Sequence, residues 1–247
     1  MCTVTFIPNI EASELNSFLI TFNRDEAIGR ETFPPSCKTE EGVGMVFPKD
    51  GVAGGTWLGI SSRKRVVGIM NGGFKAHKRN PPYRKSRGVV VKEFLATENF
   101  IDFTKDYNFL GIEPFTLLVV EFEKTCKGWQ LVWDGTDLHQ SIIDNKPAIW
   151  SSSPLYDKNM HQKRQNWFAE NLNKKGISAE ALWNFHHNAG EGNPETNLVV
   201  DRGFLKTQSI SQIEISEKKQ HFKYEDLSTG KLTFLDLSNL MQKEHSV

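Results

Sequence analysis

Residues able to do acyl chemistry together sit near the start of the chain. Cys2 carries a thiol, and Asn23-Arg24-Asp25-Glu26 sets an amide, a cation and two acids side by side. The tetrapeptide directly follows the apolar run Phe18-Leu19-Ile20-Thr21-Phe22. Unpaired charge at the end of a buried strand is strongly destabilising, so these side chains need partners. Cys2 is small enough that removal of Met1 is expected, which would leave a thiol and a free α-amine on one residue. The thiolate is the nucleophile, and a neighbouring cation lowers a thiol pKa from about 8.5. An α-amine titrates near ~7.7–8.0 and can serve as a general base. Asp25 can orient that amine and Arg24 can stabilise the thiolate, which supplies nucleophile, base and orienting group. A second reading makes Cys2 a small buried apolar side chain and Arg24 with Asp25 a structural ion pair.

The elements that must bring these residues together can be read from the pattern. Residues 2–7 (CTVTFI) and 17–24 are rich in β-branched and aromatic types and read as strands buried on both faces. Paired as an antiparallel hairpin, they set Cys2 against Asn23-Arg24-Asp25, with opposite Cβ atoms about 4.5–5.5 Å apart. Residues 31–38 hold Pro34 and Pro35 and read as a loop, and residues 51–59 are glycine-dense. A strand over 66–70 ends at Asn71. Helical spacing runs over 86–96, with Val90, Val91, Phe94 and Leu95 on one side, and again over 99–107. Strands are expected at 115–122, 129–133, 138–143 and 148–151. Helices follow at 157–171 and from a Ser178 cap to about His187. Three last strands fall at 208–216, 221–226 and 231–236, the final two joined by a turn at 228–230. Strands, helices, strands, helices, strands make an α+β layered sandwich, read as one domain over residues 1–247.

The 247 residues carry 30 basic and 30 acidic side chains, so net charge gives no argument for a nucleic-acid or membrane partner. Cys2, Cys37 and Cys126 are odd in number and lack a CxxC pair. They suggest neither a disulfide framework nor a zinc site, and favour a reducing, cytoplasm-like compartment. No charged segment followed by an apolar one opens the chain, and no apolar run approaches about 18 residues. Neither a leader nor an integral membrane segment is expected, and an organellar import that needs no presequence stays open. Residues 75–87 (KAHKRNPPYRKSR) hold six Lys or Arg. This segment is either a site for an anionic ligand or a solvated loop, and no second basic stripe accompanies it to suggest nucleic acid. His186-His187 point about 100° apart on a helix, which disfavours a shared metal ion; a helix-end position favoured by the macrodipole fits better.

Several ordered motifs together resemble the NRDE family, also called the transport and Golgi organization 2 family. They are Met1-Cys2, Asn23-Arg24-Asp25-Glu26, the block Ala53-Gly54-Gly55-Thr56-Trp57-Leu58-Gly59, Asn71, Ser86-Arg87-Gly88 and Ser152-Ser153-Pro154. That family in turn resembles N-terminal-nucleophile (Ntn) hydrolases of the choloylglycine-hydrolase type. The resemblance implies a four-layer αββα sandwich of two stacked, mainly antiparallel sheets. It implies Cys2 as nucleophile, Asp25 as the carboxylate that holds the α-amine, and Asn71 as an oxyanion donor. Arg24 stands two residues from the position of the hydrolases' arginine. Ser152 falls where they carry a second asparagine, and Gln208 replaces a late arginine common in the family. Asn23, Ser152 and Gln208 are expected at the substrate, without a resident metal or cofactor. Two functions follow as expectations: an N-terminal-cysteine amidohydrolase or acyl transferase acting on a small amide or thioester, or a non-enzymatic carrier of haem, acyl-CoA or lipid.

Overall fold

Hairpin formation by two apolar segments sets the start of the fold. In a computed structural model that describes residues 2–11 and 13–242, these segments are β1 (Cys2–Pro8) and β2 (Phe18–Ala27). Met1 and residues 243–247 lie outside the described residues. Four strands follow, β3 (Thr32–Glu40), β4 (Val43–Asp50), β5 (Leu58–Ser61) and β6 (Arg65–Asn71), then helices α1 (Arg87–Ala96) and α2 (Phe100–Asp106). Strands β7 (Phe115–Glu121), β8 (Lys127–Trp133), β9 (Leu138–Ile143) and β10 (Ala148–Ser151) lead to α3 (Lys158–Lys175) and α4 (Ala179–Asn188). The described part closes with β11 (Leu205–Ile215), β12 (Gln220–Asp226), β13 (Lys231–Asp236) and the short α5 (Ser238–Gln242).

The strands form two sheets, in the orders β10-β1-β2-β11-β12-β13 and β3-β4-β5-β6-β7-β8-β9, with antiparallel neighbours throughout. Side chains alternate across a strand, and β1 and β2 use both faces. Val4, Phe6, Ile20 and Phe22 join the large core that also contains Val66 and Leu118 of the second sheet and Phe94 of α1. Ile7 and Leu19 join a smaller core with Phe168 of α3 and Leu182 and Phe185 of α4. The layers are therefore α3/α4, sheet, sheet, α1/α2, the four-layer αββα sandwich that the resemblance implies.

Two regions depart from the sequence reading. Residues 31–38 are not a loop, because β3 runs through them as an edge strand. Pro34 and Pro35 sit where its register against β4 shifts, between Phe33 and Ser36. Proline is tolerated at such an edge irregularity because no ladder N–H is needed there. Strands β4 and β5 had no reading, since Pro48 and Lys49 interrupt the apolar run of the first and the second is a four-residue strand at the end of the glycine-dense stretch. No helix among the described residues is long and apolar enough to cross a membrane.

Candidate functional site

The hairpin pairs Cys2 directly with Arg24 and Thr3 with Asn23. Opposite residues share a face, so Cys2 and Arg24 stand together while Asn23 and Asp25 turn to the other side. The charges that close β2 all find partners, and Glu26 lies 3.9 Å from Arg24 and 3.8 Å from Arg30. Arg24 Nη2 lies 2.5 Å from Asp50 Oδ2, and its Nη1 donates to Thr32 Oγ1 at 2.9 Å. The guanidinium carbon sits 4.3 Å from the centroid of the Trp57 ring, a cation–π contact. Arg24 thus pairs with Asp50, not with Asp25. Asp25 is fully buried and accepts from Thr207 Oγ1 at 2.7 Å and Tyr156 Oη at 3.2 Å.

Asp50, the last residue of β4, joins several pieces. Its Oδ2 also receives Arg30 Nε at 2.7 Å, and its Oδ1 accepts the backbone N–H groups of Val52 and Ala53 at 3.0 and 2.8 Å. These bonds start the turn into the glycine block. The block is glycine-rich because it meets another backbone: a Cβ on Gly55 would overlap the main chain of Gly88. Thr56 N donates to Gly88 O at 3.0 Å, fixing the loop to the first turn of α1.

These pieces enclose a cleft of about 500 Å³. Cys2, Arg24 and Asn71 line it, together with Trp57, Arg87 and Glu113. Residues 75–87 contribute His77, Arg79, Tyr83, Lys85 and Arg87, so the basic segment borders the same cleft as the thiol. Cys2 is only 4% exposed. Burial pushes its thiol pKa up, the charges of Asp25 and Glu26 act in the same direction, and Arg24 opposes them without prevailing. The sequence-based expectation that the cation would lower this pKa is reversed by desolvation. The resting group is a thiol, which needs a base when it reacts.

Ser152 supplies a contact at the backbone nitrogen. Cys2 N donates to Ser152 Oγ at 2.7 Å, and Ser152 N donates to Cys2 O at 2.9 Å. Ser152 therefore contacts the main chain of the nucleophile candidate and is absent from the cleft lining, where a substrate-binding role would have put it. Asn23 is also elsewhere. Its Nδ2 donates to the carbonyls of His186 and Leu198, both at 3.0 Å, and its Oδ1 lies 2.6 Å from His186 Nδ1. It ties β2 to α4 on the outer face of the sheet. Gln208 occupies the register shift between Thr207 and Ser209 and borders a separate groove of about 550 Å³. Its Nε2 donates to Glu26 O at 3.3 Å. Asp50, Glu113, Thr207 and Tyr156 carried no signal in the sequence, being isolated polar residues far from the motif they support.

The family model for Transport and Golgi organisation 2 matches residues 1–220. The chain belongs to this family. No curated protein matches it in sequence. Among solved structures, a variant of conjugated bile acid hydrolase from Clostridium perfringens is similar at a TM-score of 0.60 and 9% identity, over 97% of this chain and 93% of that one. Penicillin V acylase from Agrobacterium tumefaciens gives a TM-score of 0.53 at 12% identity, covering 100% and 89%. An N-acylethanolamine-hydrolyzing acid amidase ortholog from Caenorhabditis elegans gives 0.55 at 10%, covering 86% and 92%. At such identities the likeness establishes the fold. The family member described here presents Cys2 on the first strand of that fold, beside the cleft.

Proposed function

We propose that this cleft is the reaction site of an N-terminal-cysteine amidohydrolase or acyl transferase acting on a small amide or thioester. The observation that carries the reading is the double placement of Cys2: its residue lines the cleft, while its backbone nitrogen is held by the Ser152 hydroxyl at 2.7 Å. With Met1 removed, that nitrogen is an α-amine with a pKa near working pH. The amine takes the thiol proton as sulfur attacks the substrate carbonyl, then delivers it to the departing amine or thiolate. The C–N or C–S bond breaks and a thioester to Cys2 forms. Water, or a second nucleophile in a transferase, then attacks the thioester and returns the thiol. Arg24 faces the sulfur and stabilises its negative charge. Asp25 orients the amine through the strand end, and Asn71 donates to the oxyanion, a role whose removal typically costs about 10²–10³ in rate. The solved structures named as a conjugated bile acid hydrolase, a penicillin V acylase and an N-acylethanolamine-hydrolyzing acid amidase support this class of chemistry on the shared fold.

Intact-mass analysis tests it. The purified protein is expected to lack Met1 and to gain one hydroxylamine-labile acyl group per chain from a small activated ester. Cys2→Ala protein should gain none. Retention of Met1 with no acyl adduct sinks the catalytic reading. The cleft would then only hold its ligand, as in a carrier of haem, acyl-CoA or lipid, and ligand binding would survive Cys2→Ala.

A further inference from the structure

The cleft wall is more positive than its own packing requires. Arg24, Arg30, Arg79, Lys85 and Arg87 line it against three carboxylates, Glu26, Asp50 and Glu113. Glu113 is 7% exposed and faces two guanidinium groups, Arg87 Nη2 at 3.1 Å and Arg79 Nε at 3.3 Å, with His77 Nε2 at 3.2 Å beside them. Asp50 and Glu26 together balance Arg24 and Arg30, and Lys85 pairs with Glu93. Glu113 alone cannot neutralise both Arg79 and Arg87, so positive charge is left over at this wall of the cleft.

The start of α1 adds to it. Arg87 is the first helical residue, the first turn contains no acid, and Ser86 at the N-cap makes no side-chain capping bond. A helix N-terminus carries partial positive charge and is normally balanced by acids or caps. Here a cation stands instead, and local rules are broken most often at functional positions. An independent sign lies beside it. Trp57 is 5% exposed and lines the cleft, and its indole N–H has no hydrogen-bond partner among the described residues. Buried donors are almost always paired, which makes this one an exception on a residue of the cleft lining.

We infer that Arg87, held by Glu113 and by the Pro114 carbonyl at the start of α1, is the anion-binding residue of the cleft, and that the ligand carries a carboxylate or phosphate group. Arg87 Nη1 donates to Pro114 O at 3.2 Å, and its side chain is 18% exposed. A guanidinium has five N–H donors in a planar fork, and these two contacts leave donors for the cleft. The fork matches either oxyanion in two-point fashion. Arg79, whose side chain is 73% exposed, stands where an arriving anion meets it first. The inference deepens the proposed function and rests on its placement of the ligand in this cleft.

Calorimetric titration at low ionic strength tests it, with inorganic phosphate and acetate as separate probes of wild-type and Cys2→Ala protein. Saturable one-to-one binding of at least one anion is expected in both. Arg87→Gln should weaken it at least tenfold, and Lys231→Gln, on the distant β13, should leave it unchanged. Tighter phosphate binding assigns a phosphorylated ligand, and tighter acetate binding a carboxylate. Should Arg87→Gln fail to fold, wild-type protein still decides: phosphate or acetate, but not chloride at equal ionic strength, should slow phenylglyoxal labelling of Arg87 in a peptide map. Absence of saturable binding, an equal loss in Lys231→Gln, or labelling indifferent to both anions would overturn the inference. Acyl labelling of Cys2 without anion binding strikes this inference alone. Anion binding without acyl labelling strikes the proposed reaction alone.

Discussion

Arg24 lies between the Trp57 ring and the Asp50 carboxylate, and its side chain is 4% exposed. Removing one partner of such a pair leaves the other charge buried and uncompensated, at a cost of about 3–5 kcal/mol. Asp50→Asn is therefore expected to lower the denaturation free energy by an amount in that range, seen as a lower urea midpoint. It should also slow acylation of Cys2, because Arg24 loses its fixed position beside the sulfur. Loss of acylation with an unchanged midpoint would contradict the account of Asp50 as an anchor. The thiol makes a separate prediction. Burial raises the Cys2 pKa, whereas Cys37 is exposed. Only a thiolate reacts with alkylating reagents, so iodoacetamide at neutral pH should label Cys37 well before Cys2. Equal rates in a peptide map would show that the thiol is more open and more ionised than its packing allows.

Elements are tied to one another by polar groups that pattern reading treats as ordinary. Helix α4 docks on β1 and β2 through His186, whose Nδ1 faces Asn23 Oδ1 at 2.6 Å and whose Nε2 faces Thr5 Oγ1 at 2.8 Å. Since Asn23 Nδ2 donates to two carbonyls, its oxygen must accept, and the neutral ring carries its proton on Nδ1. Burial lowers the His186 pKa to about 3, the reverse of what a solvated helix-end position would give. An unfolded histidine titrates near about 6.5, so between these values the unfolded chain binds the extra proton. Stability from His186 is complete above the unfolded value and is lost as pH falls, by about 3 kcal/mol at pH 4. The Asp25 carboxyl, raised chiefly by burial, works in the opposite direction above the unfolded carboxylate range. The clean readout is thus a difference: His186→Gln, which keeps Asp25, should flatten the acid-side decline in denaturation free energy relative to wild type. Parallel pH curves would refute the assignment. At the other face, Gly55→Ala inserts a methyl group into the Gly88 backbone and should cost about 1–3 kcal/mol, read as a lower melting temperature.

For the whole molecule, most strands were legible because β-branched and aromatic runs such as Cys2–Pro8 and Phe115–Glu121 leave few alternatives. The edge strand β3 was not, since its two prolines carry the signature of a loop while the edge and its register shift tolerate them. In the site, Cys2 and Arg24 were legible through strand pairing, which is a local rule. Their supports were not: Asp50 and Glu113 come from distant parts of the chain, and only tertiary folding brings an isolated acid to an arginine. Contact between the two sheets was equally hidden, and it is testable. Gly68 of β6 faces Phe22 of β2 across the central layer, where an added Cβ would lie 3.3 Å from the ring. Phe22 is fully buried. Phe22→Leu should destabilise by leaving space, and Gly68→Ala by crowding the ring. Together, the added methyl enters the space the ring vacates, so the double variant should be more stable than the sum of the two losses by about 0.5–3 kcal/mol, the range for residues in contact. Urea denaturation of the four proteins measures this coupling. Additive losses would mean that the sheets do not meet at this pair, and that the cleft between Cys2 and Arg87 is not framed by the packing described.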